Sequence, residues 1–593
     1  MISSPFRLQR HTPFGLGESV VEWATGLSKL DFLYQKRPST RSSFEFMNYT
    51  LSALNVRYLV EQGEVAAIPT SGPTVIVANH PLGAIEGVIL ADLIGTIRQD
   101  VKVLANQMLK RLPEIDDLFI GIDVFNGKDS RRTNANAVRE AHRHLADGGL
   151  LIVFPAGEVS TYQGNSTTLS DIEWSQSVAK FIKRSQAVTV PIFINGQNSP
   201  LFYQAGKVHP LLRTALLGRE LLNKKATSIA ISIGSAIPYS ELKDFEYDRD
   251  VVNYLRLNTY LMSSSISTDR KTLLDHDDPS LFDTPIISPI SPDFLQQDIS
   301  SLPDSMLLIE KGDYQVYYAP TQMLPNVIQE IGRIREESFR QVGEGSGLAC
   351  DVDEFDLHYY QLFVWNQKEK EIVGSYRMGL VDELVEQHGL QSLYSRSLFQ
   401  YDESFIDSLD NSIEMGRSVV AKKYQRNLNS LLMLWKGIAT FVYRNPRYTH
   451  LFGPVSISND YSHVARQLMA ATLSVHHYDQ EKATLVKAKT PLRSSGNVFW
   501  QTNLLSSLAS VPLLSKVLAR MEKGKGLPVL LRQYLGMNGK LVCFNVDPAF
   551  QDALDGLIVV NMKAVPLKTL SKYMGKTEAM EYLATTSDAK GRP

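Results

Sequence analysis

Three short apolar runs, each closed by a turn that carries polar or charged groups, limit what this chain can fold into. Thr74-Val75-Ile76-Val77-Ala78 leads into Asn79-His80-Pro81-Leu82-Gly83-Ala84-Ile85-Glu86-Gly87. Leu150-Leu151-Ile152-Val153 leads into Phe154-Pro155-Ala156-Gly157-Glu158, and Val188-Thr189-Val190-Pro191-Ile192-Phe193-Ile194 leads into Asn195-Gly196. Apolar runs of this length bounded by Gly and Pro read as strands buried on both faces. Helical stretches between them, Asn134 to Asp147 and Asp171 to Ser185, supply the crossovers. The pattern predicts an α/β fold with a mainly parallel sheet, in which ligands gather beyond the carboxyl ends of the strands. His80 is delivered to that edge, with Glu86 in the first turn of the following helix.

An imidazole held by a carboxylate is a general base, the device needed to take the proton of a hydroxyl as it attacks an acyl thioester. The acceptor attacks directly, so no nucleophilic serine is required beside it.

The first half, over residues 45 to 240, resembles the glycerolipid acyltransferases. The resemblance rests on Asn79-His80 with Glu86, on Phe154-Pro155-Ala156-Gly157, and on Val190-Pro191-Ile192. It implies His80 as base and Glu86 as its orienting partner, with Asn79, Gly157 and Glu158 toward the substrate. This chain departs from the family pattern in three places. Five residues separate His80 from a Glu, where the family has four before an Asp. The turn carboxylate moves to Glu158. The arginine of the family's second box is missing after Ile122-Asp123-Val124-Phe125, with Lys128, Arg131 and Arg132 the nearest cations. Those boxes go with a glycerol phosphate acceptor, so the departures point away from a phosphate-bearing one.

At 593 residues, 44% apolar and 21% charged, the chain is long enough for two to four globular domains. A net charge of −2 gives no electrostatic reason to expect nucleic acid. The two cysteines, Cys350 and Cys543, lack metal-ligand spacing and fit a reducing cytoplasm. Met1 to Gly17 is polar and proline-broken, so no secretory leader is expected there, and no apolar run is long enough to span a bilayer. Any membrane association is therefore expected to be peripheral.

A Ser-, Asp- and Pro-rich stretch divides the chain, giving expected domains over 1–262 and 306–593 with a connector over 263–305. The second half carries an amphipathic helix over Asn326 to Val342, an acidic loop Asp351-Val352-Asp353-Glu354-Phe355-Asp356, and strands at Tyr360 to Trp365, Glu371 to Gly379 and Ser412 to Val420. An apolar helix from Asn427 to Tyr443 follows. Taken alone, Arg335 and Arg340 read first as a solvated helix face. The aspartates read as loop caps without calcium-loop spacing, so no metal site is expected. Glu414 and Arg417 are equally well read as a structural ion pair.

In order and spacing, residues 306 to 565 resemble the GNAT superfamily, and more closely the acyl-homoserine-lactone synthases and ornithine N-acyltransferases. The matching pairs are Arg335 with Phe339, Asp353 with Asp356, Gly374 with Arg377, and Glu414 with Arg417. The resemblance implies a compact mixed α/β domain. N-acylation needs a base because an amino-acid amine is mostly protonated at neutral pH, and Glu414 is the expected one. Asp353 and Asp356 are expected to hold an ammonium, and Arg377 or Arg417 a carboxylate.

Together the halves resemble the bifunctional bacterial ornithine lipid synthases. That resemblance implies transfer of a 3-hydroxyacyl chain from acyl carrier protein to the α-amine of ornithine, followed by O-acylation of the 3-hydroxyl. It implies no resident cofactor, since the acyl donor is a substrate, carried by acyl carrier protein or CoA. It also implies a cytoplasmic enzyme, peripheral on the inner face of the bacterial inner membrane, with a membrane lipid as substrate. Leu504 to Leu535, apolar with a basic edge, and Val20 to Tyr34 are the candidate membrane segments, the former equally readable as a core helix. Two other readings stand beside this one: an acyltransferase pair acting on lysophospholipid or another amine, and a non-catalytic lipid-binding protein.

Overall fold

The computed structural model describes residues 4–8, 16–123, 130–163, 168–263, 284–426, 428–493, 500 and 502–585. The chain forms two compact units, 1–268 with 496–508, and 269–495 with 509–593.

The first unit begins with helices α1 (Leu16–Ala24) and α2 (Leu27–Gln35) and is built on seven strands. These are β1 (Arg57–Gln62), β2 (Thr74–Ala78), β3 (Val101–Asn106), β4 (Phe119–Ile122), β5 (Leu150–Val153), β6 (Val188–Asn195) and β7 (Ser228–Ile233). Their spatial order is β1-β7-β6-β2-β5-β3-β4, parallel throughout except between β6 and β7. Val75, Ile76 and Val77 of central β2 are fully buried, as the unbroken apolar run requires. Helix α3 (Ala84–Gly95) follows β2, and α4 (Ser130–Ala146) and α5 (Ser177–Ser185) are the crossovers expected from sequence. The chain leaves β2 for β3 on one side and β5 for β6 on the other, so the carboxyl ends of β2 and β5 form a crevice at a topological switch point. Helices α6 (Pro200–Val208), α7 (Pro210–Ala215) and α8 (Asp248–Tyr260) also belong to this unit. Asn503 offers its carbonyl to Asn253 of α8 at 2.9 Å, and Leu504, Leu505 and Leu508 are buried.

Asp171, expected to open a helix, is instead a buried residue of an extended segment, because α5 starts only at Ser177. The connector expected over 263–305 also differs. Residues 264–283 lie outside the described residues, whereas α9 (Pro292–Ser300) is a regular helix with Pro at its start and Leu295 and Ile299 buried in the second unit's core. Two apolar residues four apart after a helix-starting Pro are enough to bury one face.

The second unit has an eight-stranded sheet: β8 (Leu307–Lys311), β9 (Tyr314–Pro320), β10 (Tyr360–Asn366), β11 (Glu371–Leu380), β12 (Ser412–Val420), β13 (His450–Ile457), β14 (Lys540–Asp547) and β15 (Ala553–Asn561), in the order β8-β9-β10-β11-β12-β13-β15-β14. All pairs are antiparallel except β12 with β13, which run parallel over only Ser412–Glu414 and His450–Phe452. Beyond that point the two strands are no longer paired. Helices α10 (Val327–Arg340), α11 (Leu428–Arg444) and α12 (Val511–Met521) belong to this unit. Leu514, Val517, Leu518 and Met521 of α12 are buried, so the basic-edged stretch follows its core-helix reading. No single described helix is long and apolar enough to cross a membrane.

Candidate active sites

In the first unit, the loop after β2 is held from three sides. The Asn79 amide donates to the Ile194 carbonyl at 2.9 Å and accepts the Ile194 N–H at 2.7 Å, clamping the loop to β6. Asn198 donates to the carbonyls of Pro81 and Leu82, each at 3.3 Å. Gly83, with φ at +103°, turns the chain into α3, and a Cβ there would meet Leu217 at 2.9 Å.

Glu86, fully buried in the first turn of α3, accepts the Leu82 N–H at 2.5 Å and lies 3.4 Å from Nδ1 of His80. The longer glutamate side chain thus spans the extra residue of spacing. The His80 ring is 18% exposed and packs on Phe154 at 4.7 Å between centroids, bringing the β2 and β5 loops together. Among the described residues, no hydrogen bond engages Nε2, the nitrogen left for an incoming hydroxyl proton.

Asp171 was missed as a site residue. Its carboxylate accepts the His80 N–H at 3.2 Å, the Ser160 hydroxyl at 2.5 Å and the Trp174 indole N–H at 2.8 Å. Burial disfavours the charged imidazolium, but Glu86 and then Asp171 outweigh it and hold the His80 pKa above its ordinary value. Asp171 is itself raised by burial.

Gly157 takes φ +71° with open space where a Cβ would stand, and its N–H closes the turn onto the Phe154 carbonyl at 3.0 Å. Glu158 is half exposed and paired with Arg213 of α7. Arg131 and Arg132 are exposed at the start of α4, and Lys128 lies outside the described residues.

In the second unit, most of the charged residues singled out from sequence bind one another. Arg335 is fully buried, not solvated: it donates to both Asp356 oxygens at 3.0 and 3.1 Å and to Gln361 at 2.9 Å. Asp353 and Asp356 cap a short turn reciprocally, each accepting the other's N–H at 3.1 Å. Arg377, 1% exposed, reaches Asp353 at 2.5 Å and Asp356 at 3.4 Å, with the rings of Phe355, Tyr359 and Tyr394 around its guanidinium. Two guanidiniums hold the Asp356 carboxyl well below the usual carboxylate range despite the opposing effect of burial.

Glu414 accepts the Tyr359 hydroxyl, the Tyr394 N–H at 3.0 Å and the Ser395 N–H at 2.7 Å. It is 1% exposed.

A cleft of about 150 Å³ opens where β12 and β13 part. Of the residues expected from sequence, Phe339 and Arg417 line it. Arg417 takes a left-handed φ of +48°, which turns its side chain from the strand toward Asp351 and Asp353, each at 3.3 Å. Glu344, Asp547 and Asp555 also line the cleft, and sequence reading had not singled them out for this site. Burial raises Asp555 and Glu344 to about 7 each. No group of three or more His, Cys, Asp or Glu suited to a metal ion occurs among the described residues.

Comparison with known proteins matches an acyltransferase family over residues 32–269 and an acetyltransferase (GNAT) domain over 334–436. A glycine N(alpha)-acyltransferase of Phocaeicola vulgatus is 31% identical over 295 residues, covering 46% of this chain and 89% of that protein. The glycine N(alpha)-acyltransferase of Bacteroides thetaiotaomicron is 35% identical over 219 residues, covering 35% of this chain and 64% of that protein. A lyso-glycine lipid O-acyltransferase of Phocaeicola vulgatus is 27% identical over 215 residues, covering 35% of this chain and 74% of that protein.

Proposed function

The chain belongs to the aminolipid acyltransferases, with an acyltransferase domain ahead of a GNAT domain, and from that premise we propose that one polypeptide carries out both acylations of ornithine lipid synthesis. The second unit transfers a 3-hydroxyacyl group to the α-amine of ornithine. The first unit then acylates the 3-hydroxyl, with Nε2 of His80 taking the hydroxyl proton and Glu86 steadying the imidazolium.

The observation that carries this reading is the His80–Glu86 pair at the crevice of one unit, together with a polar cleft between parting strands in the other. Strands that separate leave backbone N–H and C=O groups unpaired, and an extended amide-bearing arm can dock on them as an added strand. The phosphopantetheine arm shared by acyl carrier protein and CoA has that chemistry. Acyl carrier protein is the donor we take, since the acyl chain is a 3-hydroxyacyl group. Three carboxylates facing Arg417 suit a diamino acid, which brings one more ammonium than carboxylate. Glycine is the second reading, favoured by the names of two relatives.

The product and its lyso intermediate are lipids, so we place the enzyme in the cytoplasm, peripheral on the inner face of the inner membrane. Support comes from the exposed apolar side chains Leu16, Val20 and Trp23 on α1, Phe32 on α2, and Val208 and Leu211 around α6 and α7.

Lipid mass spectrometry after expression in a bacterium lacking aminolipids tests the proposal. The expected result is a diacylated ornithine lipid. Diacylated glycine lipid would select the second reading, and acylation of lysophospholipid alone would defeat both.

A further inference from the structure

Asp555 stands where a base for the N-acylation is needed, and Glu414 does not. Glu414 gives its carboxylate to three donors and does not line the cleft. Asp555, on β15, lines the cleft at 3% exposure and accepts the hydroxyl of Ser456 on the paired strand β13 at 2.7 Å.

The groups facing Asp555 come from every side of the cleft: Asp547 at the end of β14, Glu344 from the turn after α10, Arg417 from β12, and Tyr394. A separate observation marks the cleft as a ligand site: it lies where the pairing of β12 and β13 stops, past Glu414 and Phe452, between residues 416–418 and 454–456. Strand edges that face each other unpaired call for a ligand that can satisfy their backbone groups. Tyr376 lines the cleft while almost fully buried, with its hydroxyl engaged by Ser418 and Tyr534.

We propose that Asp555 takes the proton from the acceptor's ammonium, with Glu344 and Asp547 holding that ammonium in the cleft beforehand. This rests on the N-acylation reading and names its base. One proton passes from the ammonium to the Asp555 carboxylate. The freed nitrogen lone pair forms the C–N bond to the thioester carbonyl carbon. As the tetrahedral adduct collapses, the C–S bond breaks with its electron pair on sulfur. The sulfur takes a second proton from nitrogen and leaves as the thiol, and Asp555 returns its proton to solvent. A carboxyl raised to about 7 by burial is half ionised at neutral pH, the match a general base requires.

The test uses the purified full chain with ornithine and with glycine, and a 3-hydroxyacyl thioester of acyl carrier protein as donor. kcat/KM is followed against pH for wild type, Asp555→Asn, Ser456→Ala and Asp547→Asn. Asp555→Asn is expected to lower kcat for N-acylation by roughly 10² to 10⁴-fold and to remove the limb near neutral pH, while O-acylation of supplied lyso lipid persists. Ser456 holds the Asp555 value down and Asp547 pushes it up, so the limb is expected to move to higher pH in Ser456→Ala and to lower pH in Asp547→Asn. A structural role for Asp555 would move neither limb.

N-acylation in which Asp555→Asn keeps the wild-type limb overturns the proposal and leaves the N-acylation reading standing. If Asp555→Asn fails to fold, unmoved limbs in the other two variants overturn it equally. Absence of N-acylation in the wild type with either amino acid removes the reading and the proposal together.

Discussion

Glu86 lies 3.4 Å from Nδ1 of His80 and also accepts the Leu82 N–H of the same loop, so one carboxylate orients the imidazole and fixes the turn that carries it. Removing the imidazole should leave that turn clamped by Asn79 and Asn198. His80→Ala is therefore expected to fold, lose O-acylation by about 10² to 10⁴-fold and keep N-acylation. Lyso lipid should accumulate, as read by lipid mass spectrometry. Loss of both activities in a folded variant would rule out separate sites.

Asp171 and Glu86 both raise the His80 pKa, which moves the rising limb of O-acylation to higher pH than an ordinary imidazole would give. The neutral imidazole is the active form. Replacing Asp171 by Asn removes one raising charge, so the limb should shift to lower pH; a limb that stays put or rises would take Asp171 out of the His80 environment.

How much of this was legible in sequence depended on distance along the chain. His80 and Glu86 sit on one strand-turn-helix unit, so local pattern sufficed, as it did for the three buried strands. Asp171 reaches the His80 backbone across 91 residues, and its neighbours gave only a vague helical cue. Asp555 and Glu344 meet only when β15 and the turn after α10 close on the same cleft, and no spacing rule joins positions so far apart. Arg335 looked like a solvated face because an arginine's burial is decided by its partner, and Asp356 is 21 residues away.

That buried pair makes a stability prediction. Arg335→Ala would leave Asp356 charged, sealed and short of a guanidinium, a change that costs roughly 3–5 kcal/mol in buried pairs. The folded Asp356 pKa is depressed, so its contribution is present above the unfolded value of about 3.9 and is lost as pH falls through the folded one. With Arg335 gone the folded value rises, and acid unfolding should begin at higher pH. Denaturant midpoints measured from pH 7 downward would show this; equal midpoints at all pH would contradict it.

Glu414→Gln separates anchoring from catalysis. An amide nitrogen must face at least one of the donors that Glu414 now receives from Tyr359, Tyr394 and Ser395, so the variant should lose thermal stability. If Glu414 anchors the segment Tyr394–Ser395, the folded fraction should still show the neutral limb of N-acylation. Disappearance of that limb at full stability would return the role of base to Glu414.

The two activities should not divide cleanly at any single cut. A protease site placed within 264–283 leaves α9 with the second unit, where Leu295 and Ile299 are buried. Cutting between 290 and 300 would instead remove or break that helix. Even the better cut leaves Leu504, Leu505 and Leu508, which are buried within the first unit, on the C-terminal fragment. Residues 284–593 expressed alone should therefore expose those three leucines and aggregate more readily than the whole chain. Co-expression with residues 1–262 should restore solubility and both acylations, because the first unit again covers that segment. Size-exclusion chromatography and lipid analysis of the two fragments, apart and together, check this. A C-terminal fragment that stays monomeric and soluble alone would show that the 496–508 segment contributes little to holding the first unit.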